Sequence, residues 1–594
     1  MTPLAEYQSR LAQRQAVSER EERRYRWIGN LRLLTGIAGV AVAFFVFGET
    51  VISPWWLALP VALFFGLVVI HSRVAETWER SNRAVRFYIR GITRLENHWI
   101  GTGETGERFR NPEHVYQEDL DLFGKGSLFE LLSAARTRSG QDTLAQWLVV
   151  PASREDAIAR QQAIQELGPR LDMRENLALR GEALRSNLDQ DSLAAWGQAP
   201  EISYPAGTRF IAPFLAGAVV VTFALYLASV WTRTPFLIAL FVELGYWGFL
   251  GSRTLRVTAA VNAPAHDLAL LSKLLDQIEK DRFETPLLQQ LQSRLQDSGL
   301  IASREIARLE RLVSLLDWQR NLLFAPIAFA ILWSPQLALA IEHWRGRAGG
   351  HIREWIACTG EFEALCDLAA YSYEHPHDTF PELTETPGGW FEAEGLGHPL
   401  MPEAQCVRND VRLGGDIRLL IVSGSNMSGK STLLRAVGLN TVLAWTGAPV
   451  RANRLKISPL IVGASIRVLD SLLDGRSRFY AEITRLREIV RLADGSRTVL
   501  FLVDELLSGT NSHDRRIGAA AIVRMLLDRG AIGMITTHDL ALVKIAEDMS
   551  GRAINVHFAD SLENGRLHFD YRLLPGVVER SNALDLMRSV GLEV

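Results

Sequence analysis

A glycine-rich loop holds the residue types best suited to phosphate chemistry. Residues 421–432 fit the pattern G-x4-G-K-[ST], with an apolar run before the loop and a helical pattern after it. Lys430 would reach β- and γ-phosphates, and the Ser431 hydroxyl would bind Mg²⁺. A glycine-rich loop alone is usually a turn, but these flanks favour a nucleotide site whose backbone N–H groups point at phosphate oxygens. Its expected residues are Gly424, Ser425, Asn426, Met427, Ser428, Gly429, Lys430, Ser431 and Thr432.

Two later apolar runs end in residues that could complete this chemistry. Residues 499–503 are β-formers followed by Asp504 and Glu505, and residues 534–537 are followed by His538. Parallel sheets place ligands at the carboxyl ends of their strands. We therefore expect Asp504 to hold Mg²⁺, and Glu505 and His538 to be catalytic beside Lys430. The alternatives are a solvated strand end for the two acids and a structural role for the histidine.

Length, charge and cysteine content narrow the class of protein. A chain of 594 residues should form several domains, at roughly 100–200 residues each. The net charge of -3 balances 64 basic against 67 acidic residues, so any contact with nucleic acid must be local. The 3 cysteines lack the paired spacing of a zinc site and make no even disulfide framework, which indicates a reducing cytoplasm.

Two pairs of apolar runs indicate membrane hairpins. Residues 33–48 and 55–70 form the first pair and residues 210–231 and 235–251 the second, each joined by a short turn and flanked by arginines. The positive-inside rule then places the outer ends in the cytoplasm, and no cleavage site follows the first run. Glu243 lies inside the fourth run, where we favour a packing role over a functional one. The alternative for all the runs is a set of soluble core helices.

A fifth apolar run, at residues 321–341, is broken by Pro326 and Pro335. A single crossing there would put the glycine-rich loop on the far side of the membrane, so we interpret it as a buried or membrane-apposed helical segment.

Amphipathic helical patterns fill residues 119–200 and 257–317. The predicted fold is a C-terminal α/β P-loop domain preceded by an all-α domain with inserted transmembrane hairpins; resemblance of the motifs to a known family implies that the first is of the ABC type and the second a lever domain. The expected divisions are 1–32 (basic segment), 33–72 (hairpin), 73–118 (connector), 119–208 (core helices), 209–252 (hairpin), 253–387 (lever helices) and 388–594 (ATPase domain).

Together these motifs resemble the MutS family of mismatch-repair ATPases. The Asn-Met pair within the loop and residues 444–452 after it are similar to the family's version, and residues 127–161 are similar to its core lever domain. The resemblance implies ATP and Mg²⁺ as cofactors and a dimer formed through the ATPase domains. It implies a signature segment that completes the partner's site, a D-loop, and a nucleotide-base side of the pocket. The signature segment comprises Ser477 and Glu482, and the D-loop comprises Gly509, Thr510 and Asn511. The base side of the pocket comprises His398, Pro399 and Asn409.

The departures from the family shape the functional hypothesis. No mismatch-reading domain is recognisable, because a hairpin occupies that position, and Cys406 stands where many relatives stack an aromatic ring on adenine. The arginine-flanked apolar runs predict a multi-pass protein of the cell (inner) membrane with its ATPase domain in the cytoplasm. Its partners would be the lipid bilayer and DNA, either mismatched, branched or damaged. The alternative is a membrane-tethered mechanochemical or scaffold ATPase without a DNA substrate.

Overall fold

The computed structural model describes most of the chain in two compact units. The described residues are 2–48, 53–184, 190–260, 265–321, 324–467, 478–507, 510–538, 551–563 and 566–578, with positions 543, 546 and 549. The first unit comprises Met1–Thr102 and Leu171–Glu182, and the second comprises Gly103–Arg170 and Ala183–Val594.

The first unit is a long antiparallel helical hairpin. Helix α1 (Pro3–Phe47) and helix α2 (Ala58–Leu95) pack along their length, with Tyr7 against Gly91 at one end and Gly39 against Pro60 at the other. A Cβ on Gly91 would lie 2.4 Å from the Tyr7 ring, so the close approach requires glycine. The basic segment expected at 1–32 and the apolar run after it therefore belong to one continuous helix.

Helix α6 (Leu171–Leu184) contributes its first residues to the same unit. The Tyr88 hydroxyl donates a hydrogen bond to Glu175 at 2.6 Å, and Arg14 forms an ion pair with the same carboxylate at 2.7 Å. These contacts hold the charged end of the hairpin to residues that follow the core helices in sequence.

The N-terminal part of the second unit is helical, as the periodicity of residues 119–200 and 257–317 predicts. Its helices are α3 (Leu128–Leu132), α4 (Arg138–Val149), α5 (Arg154–Leu167), α7 (Gln190–Gln198), α8 (Thr208–Leu227), α9 (Arg233–Ala260), α10 (Ala265–Lys280), α11 (Pro286–Arg294), α12 (Ala302–Asp317), α13 (Ala325–Ala330), α14 (Trp333–Ala348) and α15 (Ile352–Glu374). Helix α15 is its buried axis, and Glu363 on it accepts a hydrogen bond from the Thr137 backbone N–H at 3.2 Å. Asp367, one turn later, accepts one from the Ala135 N–H at 3.1 Å.

Within the described ranges, four helices are long and apolar enough to cross a membrane by length and composition. They are α1, α2, α8 and α9. The fifth apolar run is not one continuous helix, because the chain turns between α13 and α14 at Leu332, whose φ is +48°.

The C-terminal part is an α/β domain, which confirms the expected order of a helical region followed by a sheet domain. Its strands are β1 (Glu382–Leu383), β2 (Trp390–Leu396), β3 (Asn409–Gly414), β4 (Leu419–Ser423), β5 (Arg454–Ile457), β6 (Leu460–Ser465), β7 (Thr498–Val503), β8 (Ile532–Thr537), β9 (Ala553–Glu563) and β10 (Arg566–Pro575). Its helices are α16 (Lys430–Thr446), α17 (Arg478–Leu492) and α18 (Ser512–Asp528).

The larger sheet sets the position of the functional residues. Its strand order is β10-β9-β4-β8-β7-β6, and all neighbouring strands are parallel except β10 and β9. The strands predicted at 499–503 and 534–537 are confirmed as β7 and β8. Because β4, β7 and β8 are parallel neighbours, the loops that follow them meet at one edge of the sheet.

Candidate functional site

The glycine-rich loop leaves β4 at Ser423 and enters α16 at Lys430. Gly424 has a φ of +153° and Gly429 a φ of +102°, conformations that side-chain-bearing residues rarely adopt. A Cβ on Gly429 would also lie 3.2 Å from the ring of Tyr571. The glycine positions therefore follow from the turn itself and from the close approach of a second segment.

Lys430 points back into the loop. Its Nζ donates hydrogen bonds to the carbonyl oxygens of Gly424 at 2.9 Å and Ser425 at 2.7 Å, and burial lowers the pKa of the amine. The hydroxyls of Ser425 and Ser428 are buried and have no hydrogen-bonding partner among the described residues. A curled loop with a buried ammonium and two unpaired hydroxyls is suited to a phosphate chain.

The Asp504 carboxylate connects helix α16, the end of strand β7 and strand β8. The Ser431 hydroxyl donates to its Oδ2 at 2.5 Å, and the Thr536 hydroxyl donates to its Oδ1. Ser431 lies in the first turn of α16, Asp504 follows β7, and Thr536 lies in β8, so the sheet brings together residues more than 30 positions apart in sequence. A hydroxyl beside a carboxylate is an oxygen-donor set that can hold Mg²⁺.

Glu505 lies next to this pair and faces the histidine after β8. Its φ is +48°, and its backbone N–H donates to the Thr536 hydroxyl at 2.9 Å. His538 Nδ1 lies 3.3 Å from Glu505 Oε1. The Glu505 backbone is therefore held by Thr536 while its carboxylate faces the imidazole, an arrangement that can orient a water molecule.

A cavity of about 750 Å³ opens in front of the loop. It is lined by residues of the loop and α16, by Glu505, and by His398, Cys406 and Asn409 from the segment around β3. Burial lowers the pKa of His398 to about 4, which leaves the ring neutral at pH 7. Pro399 directly follows His398 but is not among the residues that line the cavity.

Asn409 contacts the opposite wall of this cavity. Its Nδ2 donates to the Tyr571 carbonyl at 3.0 Å, and its Oδ1 accepts from the Leu573 N–H at 2.7 Å. The strand pairing of β9 and β10 is irregular between Phe569 and Leu573, and this places Tyr571 over the cavity with a φ of +54°. Sequence reasoning missed Tyr571, since a tyrosine in a β-strand carries no motif; only the irregular strand pairing aims it at the loop.

The described residues of the expected signature segment and D-loop are not among those that line this cavity. Glu482 is buried in α17, where it accepts a hydrogen bond from the Leu507 N–H at 2.6 Å, so it supports the loop that follows Glu505. Asn511 caps α18 by accepting from the Asp514 N–H at 2.9 Å, and Thr510 directly precedes it. Ser477 and Gly509 lie outside the described residues.

Comparisons with known proteins agree with this geometry. Residues 420–593 match the family model MutS domain V, which begins within β4. This region of the chain is therefore similar to the MutS family. The MutS-type region thus includes the loop, the two strand ends and Tyr571.

Individual relatives give the same result. The chain is 36% identical over 213 residues to "Endonuclease MutS2" of Thermus thermophilus, covering 34% of this chain and 27% of the relative. It is 32% identical over 250 residues to "DNA mismatch repair protein MutS" of Natronomonas pharaonis, covering 41% and 28%. It is 31% identical over 247 residues to "DNA mismatch repair protein MSH3" of Phaeosphaeria nodorum, covering 40% and 21%. The chain spans about a quarter of the length of these curated relatives.

Proposed function

We propose that this protein is a membrane-anchored, Mg²⁺-dependent ATPase of the MutS type that dimerises through its ATPase domains and acts on DNA. The observation that carries the catalytic part is the meeting of Ser431, Asp504 and Glu505 at one edge of the sheet beside the buried Lys430. The similarity to MutS relatives supports the choice of ATP and of DNA.

The residues present fit MgATP. The unpaired hydroxyls of Ser425 and Ser428 and the loop N–H groups would bind the phosphates, and Lys430 would turn from the loop carbonyls to the β- and γ-phosphates. Ser431 and Asp504 would hold the metal ion, which would neutralise charge on the phosphates when bound. Glu505 would orient and polarise the attacking water, and His538 would fix the Glu505 carboxylate and contact the γ-phosphate. Water attack in line with the leaving oxygen then releases phosphate.

The two apolar hairpins support the anchoring part of the proposal. The side chains of α8 and α9 are largely exposed, with Phe214 at 74% and Phe241 at 77%. Contiguous exposed apolar surface on two paired helices indicates a lipid or protein environment rather than water. This observation also favours the second candidate, a membrane-tethered mechanochemical ATPase that moves a membrane partner without DNA.

ATP turnover of the full-length protein separates the two candidates. The protein is purified in detergent and assayed alone and with homoduplex, mismatched and branched DNA, at low and physiological salt, with Glu505→Gln as the blank. We expect stimulation by DNA that survives physiological salt, because specific contacts add to the salt-dependent phosphate attraction. Basal turnover that is indifferent to every DNA but changed by added lipid would overturn the DNA assignment in favour of the membrane ATPase.

A further inference from the structure

An apolar surface is exposed where the chain turns from α12 towards α14. It is formed by Trp318, Phe324, Ile327 and Phe329, which we call the aromatic elbow. Trp318, Ile327 and Phe329 are 58%, 54% and 41% exposed, and residues 324–333 carry no charged side chain. The rings of Trp318 and Phe324 lie 6.1 Å apart, so the exposed surface is continuous rather than scattered.

The elbow lies at the same depth, along the axis of the second hairpin, as the first turn of α8. The Tyr246 hydroxyl on α9 donates to the Thr208 hydroxyl at 3.2 Å, which ties α9 to the first turn of α8, next to Arg209. An arginine at the start of an apolar helix marks the water–lipid boundary. Trp247 follows Tyr246, and the Phe329 ring lies 5.7 Å from the Trp247 ring. The elbow therefore shares its level with the arginine and aromatic residues at the cytoplasmic end of the hairpin.

The turn at Leu332 lies on the side of α9 that faces the protein. Glu243 precedes Trp247 by one turn of α9, which is about 6 Å along the helix axis. Glu243 is 1% exposed, and its carboxylate lies beside the Leu332 amide. The Gln336 side chain donates to the Ile331 carbonyl at 2.6 Å. Irregular backbone at membrane depth is tolerated only where protein covers it, and here α9 and Gln336 cover the turn.

Exposed arginines precede the elbow on α12, with the exposed Asp317 beside Trp318. Arg304, Arg308 and Arg311 are exposed at helical spacing on α12, whose C-terminal end carries Trp318. Arg311 is seven residues from Trp318, or about 10 Å along the helix axis. A basic stripe just above an aromatic surface is typical of a segment that lies in the membrane interface.

We propose that the aromatic elbow inserts into the cytoplasmic leaflet, where its rings contact the lipid acyl chains near their ester ends. The inference rests on the proposed anchoring of the second hairpin. It makes the fifth apolar run a shallow insertion that enters and leaves on the same side, which keeps the ATPase domain in the cytoplasm. The elbow would transmit movement of α12 and α14 to the leaflet, or changes in the leaflet to these helices.

Three isoleucines of nearly equal exposure provide a matched test. Ile327 in the elbow, Ile238 within α9 and Ile517 on α18 are 54%, 59% and 55% exposed. Each is changed to cysteine in the full chain, labelled with an environment-sensitive fluorophore, and reconstituted in phosphatidylcholine–phosphatidylglycerol vesicles. Spin-labelled lipids quench from the ester end or from the middle of the acyl chain, and aqueous iodide quenches from water. The parent protein measures the background from Cys358, Cys366 and Cys406.

We expect the Ile327 probe to be quenched most by the lipid labelled near the ester end, the Ile238 probe by the lipid labelled in mid-chain, and the Ile517 probe by iodide alone. Quenching of Ile327 only by iodide, with Ile238 quenched by lipid, would overturn the elbow while leaving the anchor intact. Shielding of Ile327 from both quenchers would mean that protein covers it and would overturn the lipid assignment. If Ile238 also escapes lipid quenching, the anchoring proposal and the elbow both fail.

Discussion

Glu505 shows how single residues at the site are fixed by their neighbours. It lies one residue beyond Asp504, which follows the buried strand β7, and its φ is +48°. The Thr536 hydroxyl accepts from its N–H and donates to Asp504, so one threonine holds the backbone of one acid and the carboxylate of the other. The two adjacent acids thereby face different partners, since Asp504 faces Ser431 and Glu505 faces His538.

Changing Glu505 to Gln should abolish turnover while leaving nucleotide binding intact. The amide keeps the shape of the carboxylate but cannot accept a proton from water, and loss of general-base catalysis typically costs about 10²–10⁴-fold in rate. Phosphate release and equilibrium binding of a fluorescent ATP analogue measure the two effects. Glu488→Gln, an exposed acid paired with Arg491, is the control and should keep parental turnover. Parental turnover in Glu505→Gln would remove Glu505 from the mechanism.

Changing Tyr571 to Ala should weaken ATP binding. The ring walls the cavity and lies against Gly429, so its removal takes away aromatic contact worth about 0.5–1.5 kcal/mol, or roughly two- to tenfold in Kd. Tyr571→Phe retains the ring and should bind as the parent does. Titration with the same ATP analogue measures both variants, and equal Kd values for Tyr571→Ala and the parent would contradict a role for the ring.

At the scale of elements, the segment before α3 is bound to the α/β domain by buried polar contacts. Asp119 Oδ1 accepts hydrogen bonds from the backbone N–H groups of Ile466 at 2.6 Å and Arg467 at 2.7 Å, directly after β6. Arg435 on α16 donates to the Asp119 carbonyl at 3.2 Å. The segment thus contacts the helix that begins at Lys430, which makes it a direct mechanical connection between the site and the helical part of the second unit.

Changing Asp119 to Ala should lower the thermal stability of the protein. Two partly buried N–H groups would lose their acceptor, and the loss of a fully buried one costs about 1–3 kcal/mol. We expect a decrease of several degrees in the unfolding temperature of the detergent-purified protein by differential scanning fluorimetry. Asp416→Ala, at an exposed turn after β3, should leave the temperature unchanged. Equal behaviour of the two variants would show that the contact carries little stability.

The junction of α4 and α15 should make stability depend on pH. Burial and the neighbouring Glu363 raise the pKa of Asp367 well above its usual range. The folded state therefore binds this proton more tightly than the unfolded state, and the stability contributed by Asp367 falls as pH rises from about 4 towards the folded-state pKa. Asp367→Asn does not titrate and retains an acceptor for the Ala135 N–H.

The unfolding temperature of Asp367→Asn, relative to the parent protein, should therefore increase as pH rises above about 4. Melting curves recorded across this range in one buffer series test the sign of the change. Asp276→Asn, which removes an exposed partner of Lys280, should show a nearly constant difference from the parent. A constant difference for Asp367→Asn as well would contradict the raised pKa.

At the scale of the whole molecule, the proposed topology has both hairpin turns outside the cytoplasm. Ser53 and Ser229 are exposed in these turns, whereas Asn111 is exposed in the segment between the hairpins. A membrane-impermeant maleimide should label Ser53→Cys and Ser229→Cys in intact cells, and Asn111→Cys only after permeabilisation, because arginines flank the cytoplasmic ends. Labelling of all three in intact cells, or of none, would contradict two hairpins whose turns lie outside the cytoplasm and whose ends lie in it.

The sequence by itself determined the elements whose signals are local. The G-x4-G-K-[ST] loop, the strands ending at Asp504 and His538, and the apolar runs each depend on residues within one turn or strand, so their patterns are visible without long-range contacts. Tertiary structure alone decided the contacts between distant segments. Asp119 meets Ile466 across 347 positions, Asn409 meets Tyr571 across 162, and the turn at Leu332 packs beside Glu243. Such pairings depend on strand register and helix packing, and the residue types at each end do not specify them, since an aspartate, a tyrosine or a leucine suits many environments equally well.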